Sequence, residues 1–166
     1  MATINQTQSG ASTGHPSPRG TRQPYIVEVL VKGSVAAAAK GAILADADVI
    51  QVLDIPAESR ILSGGAELMV ADSEASDDIT MDIGYGTDSD AFVDAADPGG
   101  SVGYFAPGSG GNIITTAFDV TVADTIDIVL GKTTTFASQD DWEVRVFLLI
   151  MDISGLPELG AARDNP

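Results

Sequence analysis

The segment Ile79-Thr80-Met81-Asp82-Ile83-Gly84-Tyr85 alternates apolar with polar or small residues along its length. Side chains of a strand project to opposite faces with a period of two, so Ile79, Met81, Ile83 and Tyr85 point inward and Thr80 and Asp82 outward. The pattern predicts a half-buried antiparallel strand, dry on one side and wet on the other. Tyr-Ile-Val-Glu-Val-Leu-Val-Lys at Tyr25–Lys32 reads as a second, mostly buried strand. Asp48–Ile55 reads as a third and stops at Pro56, which cannot donate into a ladder. Ile61–Ala71 is a fourth, with the pair Gly64-Gly65 suggesting a bulge or bend. Trp142–Ile153 is the last and most apolar strand, and Trp142 is expected to anchor the core at its start.

Between these strands the signals are mixed. Ile113–Val122 and Thr125–Leu130 read as a hairpin around Ala123-Asp124. The run Ala36–Ala39 favours a helical turn, but Gly33 and Gly41 flank it and weaken that reading. Gly86–Gly111 is rich in Gly, Asp, Ser and Pro and reads as a long loop with short apolar pieces. About seven or eight strands punctuated by turn signals predict an all-β fold, an antiparallel β-sandwich of jelly-roll-like type. No repeat of fixed period is present, which sets propellers and solenoids aside.

Charge divides the chain. Residues 1–24 contain none of the 24 acidic residues and carry only Arg19, Arg22 and His15 as basic groups. They are polar and proline-bearing, with too little apolar surface to fold alone, and are expected to form an extended arm stretched over a neighbour. Residues 25–155 are expected to be the sandwich and 156–166 a short tail. The whole chain has a net charge of −16. No Lys or Arg occurs between Arg60 and Lys132. A general grip on nucleic acid is therefore not expected, because it requires Lys and Arg to displace counterions from phosphates. The absence of cysteine removes disulfides and thiolate metal sites. No apolar stretch approaches the roughly 18 residues of a membrane helix and no signal peptide opens the chain, so a soluble, cytoplasmically made protein is expected.

Catalytic patterns are not evident. The sole histidine, His15, lies in the arm before a proline, a poor setting for a triad. The adjacent acids Asp77-Asp78 and Asp140-Asp141 would point to opposite faces of a strand and so make no convergent dyad. Gly131-Lys132-Thr133 lacks the earlier glycine of a phosphate-binding loop. No enzymatic activity is expected. Thr87-Asp88-Ser89-Asp90-Ala91-Phe92-Val93-Asp94 places oxygen donors at alternate positions, making Asp88, Asp90 and Asp94 candidate calcium ligands. The pattern is broken at Phe92 and has no closing bidentate Glu, and a solvated loop that seeds a short helix is the competing reading. Arg19, Arg22 and Tyr25 are the candidate partner-binding residues, since arginine forks and extended backbone can pin an arm to an acidic surface or a sheet edge.

The segment Val-Ile-Gln-Val-Leu-Asp-Ile-Pro-Ala-Glu-Ser-Arg-Ile-Leu at Val49–Leu62 resembles a strand, Ile-Pro-Ala turn and strand arrangement in small virion structural proteins of tailed phages, notably marine and cyanobacterial ones. The alternating strand Ile79–Tyr85, the Asp-rich segment Thr87–Asp97 and the closing strand Trp142–Ile153 extend the resemblance over roughly residues 48–153. It implies a capsid decoration or cement protein on the outer surface of a virion, bound to the major capsid protein and tying capsomers together. A homo-oligomer, dimer or trimer, is expected because association would cover the open edges of a sandwich. Alternatives are a fibre or tail attachment protein and a calcium-dependent carbohydrate-binding sandwich.

Overall fold

The computed structural model describes residues 3–5, 24–73, 79–86, 88–105, 117–132 and 141–153. Two sheets face each other across one core. The first, sheet I, contains β1 (Thr3–Asn5), β3 (Val49–Ile55), β9 (Asp124–Lys132), β5 (Ile79–Tyr85) and β6 (Asp88–Ala96), in that spatial order. Sheet II contains β2 (Tyr25–Lys32), β10 (Glu143–Asp152), β4 (Ser59–Val70) and β7 (Gly103–Tyr104), with β8 (Phe118–Val120) also on β4. The helix α1 (Gly33–Lys40) joins β2 to β3. Among the described residues no helix is long and apolar enough to cross a membrane.

The pairing is nested. The strand β2 pairs with β10, β3 with β9, β4 with β7 and β8, and β5 with β6, all antiparallel. First thus pairs with last, and so on inward to the central hairpin, while alternate pairs fall into opposite sheets. This is the wrapped-hairpin topology of a jelly roll. The expected all-β sandwich is therefore what forms. The strand β1 is an addition to that scheme, parallel to β3 with Ile4 opposite Ile50. Ile4 is buried in the chain's own core, so this part of the polar arm adds an edge strand to the body it precedes.

Alternation fills the interior as expected. Ile79, Met81 and Ile83 are buried, and so are Val144, Val146, Leu148 and Ile150 of β10. Aliphatics supply most of the core, each fully buried one contributing about 1.5–3 kcal/mol by leaving water. Trp142 is fully enclosed at the start of β10, and its backbone oxygen accepts from Gly33 N at 3.0 Å, tying α1 to the last strand. Tyr85 stacks on Phe118 at 4.4 Å and meets Phe92 edge-on at 6.1 Å, closing one rim of the core.

Four local expectations are corrected. The Ala36–Ala39 run lies within a true helix, ended by Gly41 at φ 74°, a left-handed conformation that costs glycine little. The Asp-rich stretch after Gly86 is neither loop nor helix but the strand β6, joined to β5 by a tight turn with Tyr85 opposite Asp88. Phe118–Val120 and β9 do not form a hairpin, because β8 pairs with β4 in sheet II and β9 lies between β3 and β5 in sheet I. Residues 113–116 of that expected hairpin lie outside the described residues. The pair Gly64-Gly65 makes no bulge: the extra residues on β4 are Leu62 and Met69, while Gly64 and Gly65 stand in regular register opposite Leu148 and Phe147.

Candidate partner-binding surface

The two sheets present unlike outer faces. The strands of sheet I contain Asp54, Asp82, Asp88, Asp90, Asp94, Asp124 and Asp127 against a single basic residue, Lys132 at the end of β9. None of these carboxylates is fully buried. Asp88 and Asp90 hydrogen-bond to each other, which, with partial desolvation and their mutual repulsion, raises the pKa of Asp88. Desolvation also raises that of Asp127, against a hydrogen bond from Thr125 Oγ1 at 2.7 Å that opposes the shift. Asp82 accepts from Ala95 N at 2.7 Å and so holds the β6 bulge, where Ala95 has φ 50°.

Sheet II collects the cations instead. Its strands hold Lys32, Arg60 and Arg145 against Glu28, Glu67, Asp119, Glu143 and Asp152, three bases to five acids. Arg60 holds Asp119 with two hydrogen bonds of 2.5 and 2.9 Å, depressing the carboxyl's pKa through the hydrogen bond and the charge. Lys32 pairs with Glu143, and Arg145 pairs with Glu67 and lies 3.9 Å from Glu28. Lys40 is also paired, at 2.5 Å with the buried Asp48, whose carboxylate accepts from Ala45 N as well. Each cation whose side chain is described therefore already has a carboxylate partner, and the described surface presents no basic patch to a polyanion.

Between those ion pairs sheet II exposes apolar side chains in register. Leu30 lies beside Arg145, Phe147 between Glu28 and Gly65, and Leu149 between Ile26 and Ser63. Ile26 is 68% exposed and Leu30 44%, although both lie inside a regular strand. Tyr104, opposite Glu67, is 66% exposed and meets Phe147 edge-on at 6.1 Å. The Phe147 ring lies across Gly65, where an added Cβ would be only 3.1 Å from its Cζ. The missing side chain at Gly65 thus lets an aromatic lie close over the middle strand. An apolar stripe across three strands of an outward face is a feature of interaction surfaces.

The sequence-derived candidates fall elsewhere. Arg19 and Arg22 lie outside the described residues. Tyr25 begins β2 opposite Ile150, half-buried against the core, with burial and the nearby Asp152 raising its phenol pKa. Asp88 and Asp90 come together, while Asp94 lies further along β6. Among the described residues no group of three carboxylates or imidazoles is placed to hold a metal ion. The sheet II stripe was not singled out from the sequence. Its one local sign was Tyr25–Lys32, where Ile26 and Leu30 share the outward face with Glu28 and Lys32.

No known family matches the sequence, and no curated protein is similar to it. The fold does have relatives among solved structures. The chain is similar to one in the capsid of Ralstonia phage GP4, with TM-score 0.51, 14% identity, and 91% of this chain and 98% of that one covered. It is also similar to a chain of the cyanophage Pam1 capsid asymmetric unit, with TM-score 0.51, 18% identity, and coverage of 88% and 98%. A chain in the acidic stable capsid structure of Helicobacter pylori bacteriophage KHP30 aligns with TM-score 0.49, 10% identity, and coverage of 77% and 86%. At these identities the likeness is one of fold.

Proposed function

We propose that this chain is a virion structural protein of a tailed phage, and specifically a decoration or cement protein on the outer capsid surface that contacts the major capsid protein. The observation that carries the reading is near end-to-end similarity in fold to chains from two phage capsids, each covered over 98% of its own length. A whole-chain match means that the jelly roll serves here with little added to it. The sequence resemblance to small virion proteins of cyanobacterial and marine phages points the same way.

The physical character of the chain agrees with the role. A net charge of −16 keeps a protein made in many copies from associating unspecifically. Many weak contacts on a lattice then add up, because tethering raises the effective concentration of each further contact. The arm residues Arg19 and Arg22 are its proposed tether to the shell, and the role requires no catalysis.

Two measurements test the proposal. The protein should be found in purified virions in a copy number matching the capsid lattice; its absence, or presence in only a few copies, would end the decoration role. Purified full-length protein should also bind shells lacking it, and the double change Arg19→Ala with Arg22→Ala, which spares the β1 strand and the buried Ile4, should weaken that binding. Unchanged binding would remove the arm's arginines from the account.

A further inference from the structure

We propose that the outer face of sheet II is a self-association surface, through which two copies of this chain form a two-fold dimer. The occupant follows from charge and area. Two bodies of net charge −16 repel, so a second copy can approach only where acids are scarce or neutralised. The strands of sheet I are excluded by their seven carboxylates. On sheet II Arg145 is already balanced by Glu67 and Glu28, Lys32 by Glu143, and Arg60 by Asp119. Ile26, Leu30, Phe147, Leu149 and Tyr104 occupy the space between those pairs. Burying them against identical residues strands no unpaired cation, and the surplus carboxylates, five acids to three bases on these strands, are what added salt must screen.

A two-fold axis near Phe147 suits the registers. Phe147 is the middle of the stripe, with Leu30 two positions along on one side and Ile26 and Leu149 on the other. Two-fold rotation there would bring each Leu30 end over the partner's Ile26 end. An isologous contact of this kind closes on itself and leaves sheet I of both copies outward.

The size predicts how strong the contact is. Three to four strands spaced about 4.8 Å apart and about eight residues long at about 3.4 Å per residue give a face of about 400–500 Å². Two such faces bury about 800–1,000 Å², below the about 1,200–2,000 Å² of stable specific interfaces and in the range of weak, transient ones. The remaining charge opposes the contact over a Debye length. The dimer is therefore weak at low ionic strength and strengthened by salt, opposite to a contact held by ion pairs.

Sedimentation equilibrium of the full-length chain at about 0.1 M and about 1 M NaCl, where the Debye length falls from about 10 Å to about 3 Å, tests this without any capsid. The expected result is a dimer whose dissociation constant falls about tenfold or more with added salt. Ile26→Lys and Leu30→Lys should abolish it, although each makes the chain less acidic and would strengthen association if net charge alone governed it. Asp54→Lys on sheet I should leave the dimer intact or tighten it. Circular dichroism confirms that each variant is folded, which the exposure of all three sites favours. A monomer at every concentration and salt, a dimer that salt weakens, or a dimer indifferent to both sheet II variants would each overturn the proposal. None of these outcomes bears on the presence of the protein in virions.

Discussion

Gly64 tests the packing of the two sheets more sharply than any large core residue. A Cβ built there would lie 2.5 Å from Leu148 Cδ2 and 2.8 and 2.9 Å from two carbons of the Phe92 ring. Carbon atoms in contact prefer about 3.5–4.0 Å, so both neighbours would have to retreat by about 1 Å. Neither has room. Leu148 and Phe92 are each almost wholly buried, one in sheet II and the other in sheet I. Forcing a methyl group into such a site costs about 1–3 kcal/mol, offset by about 0.4–1 kcal/mol from the stiffer unfolded chain. Gly64→Ala should therefore cost about 1–2 kcal/mol net, read as a lower urea midpoint at unchanged slope. Gly65→Ala is the internal control: its Cβ would meet only the Phe147 ring, at 3.1 Å on the outer face, where the ring can lift, so the change should stay within about 0.5 kcal/mol. Combining Gly64→Ala with Leu148→Val should restore part of the loss, with a coupling of at least about 0.5 kcal/mol. Additive effects, or a Gly65→Ala change as costly as Gly64→Ala, would refute the reasoning, since the glycine pair would then be serving the backbone and not the space between the sheets.

Lys40→Met leaves the buried Asp48 carboxylate without its cation, and a loss of about 3–5 kcal/mol is expected in the same urea assay, with Asp48→Ala the milder change because the partly exposed Lys40 keeps Ile43 O as an acceptor. Gly84→Ala should prevent folding to the native state, as judged by near-ultraviolet circular dichroism, because the new Cβ would lie 2.0 Å from the backbone oxygen of Asp88. The pKa of Asp127 is raised on folding, so the folded state binds protons more tightly and the associated stability is lost as pH rises from the unfolded pKa through the folded one. Asp127→Asn should accordingly raise the melting temperature at pH 7, with the advantage shrinking as pH falls below the ordinary carboxylate range; a constant advantage at all pH values would mean that charge is not the cause.

Legibility of the fold tracked how far each strand obeys its own period. β5 was readable because one face is dry and the other wet over its whole length. β6 was not, since bulges against β5 and the outward Asp88, Asp90 and Asp94 break the alternation into a pattern that composition assigns to a loop. The misplaced hairpin has a different origin. Phe118–Val120 and Asp124–Lys132 are both genuine strands separated by a short turn, but nothing local states that the chain changes sheet there. That information resides in the partners, β4 for one and β3 and β5 for the other, which lie tens of residues away. The glycine pair was legible as an exception and misread as to kind, because a bend and a missing side chain leave the same mark in a sequence.

The surface followed the same rule with larger consequences. An acid-rich run between Arg60 and Lys132 is plain in the sequence, yet a linear run need not become one face. It does so largely because β5, β6 and β9 gather in sheet I, adding Asp54 from β3. The converse holds for the cations. Lys32, Arg60 and Arg145 are far apart in the chain and share a sheet because β2 pairs with β10 and β10 with β4. Nested pairing is thus what sorts the charge, and the apolar stripe through Leu30, Phe147 and Tyr104 arises from the same sorting. A jelly roll with this charge order but a different pairing order would spread its acids over both faces, and two copies would then have no side from which to approach.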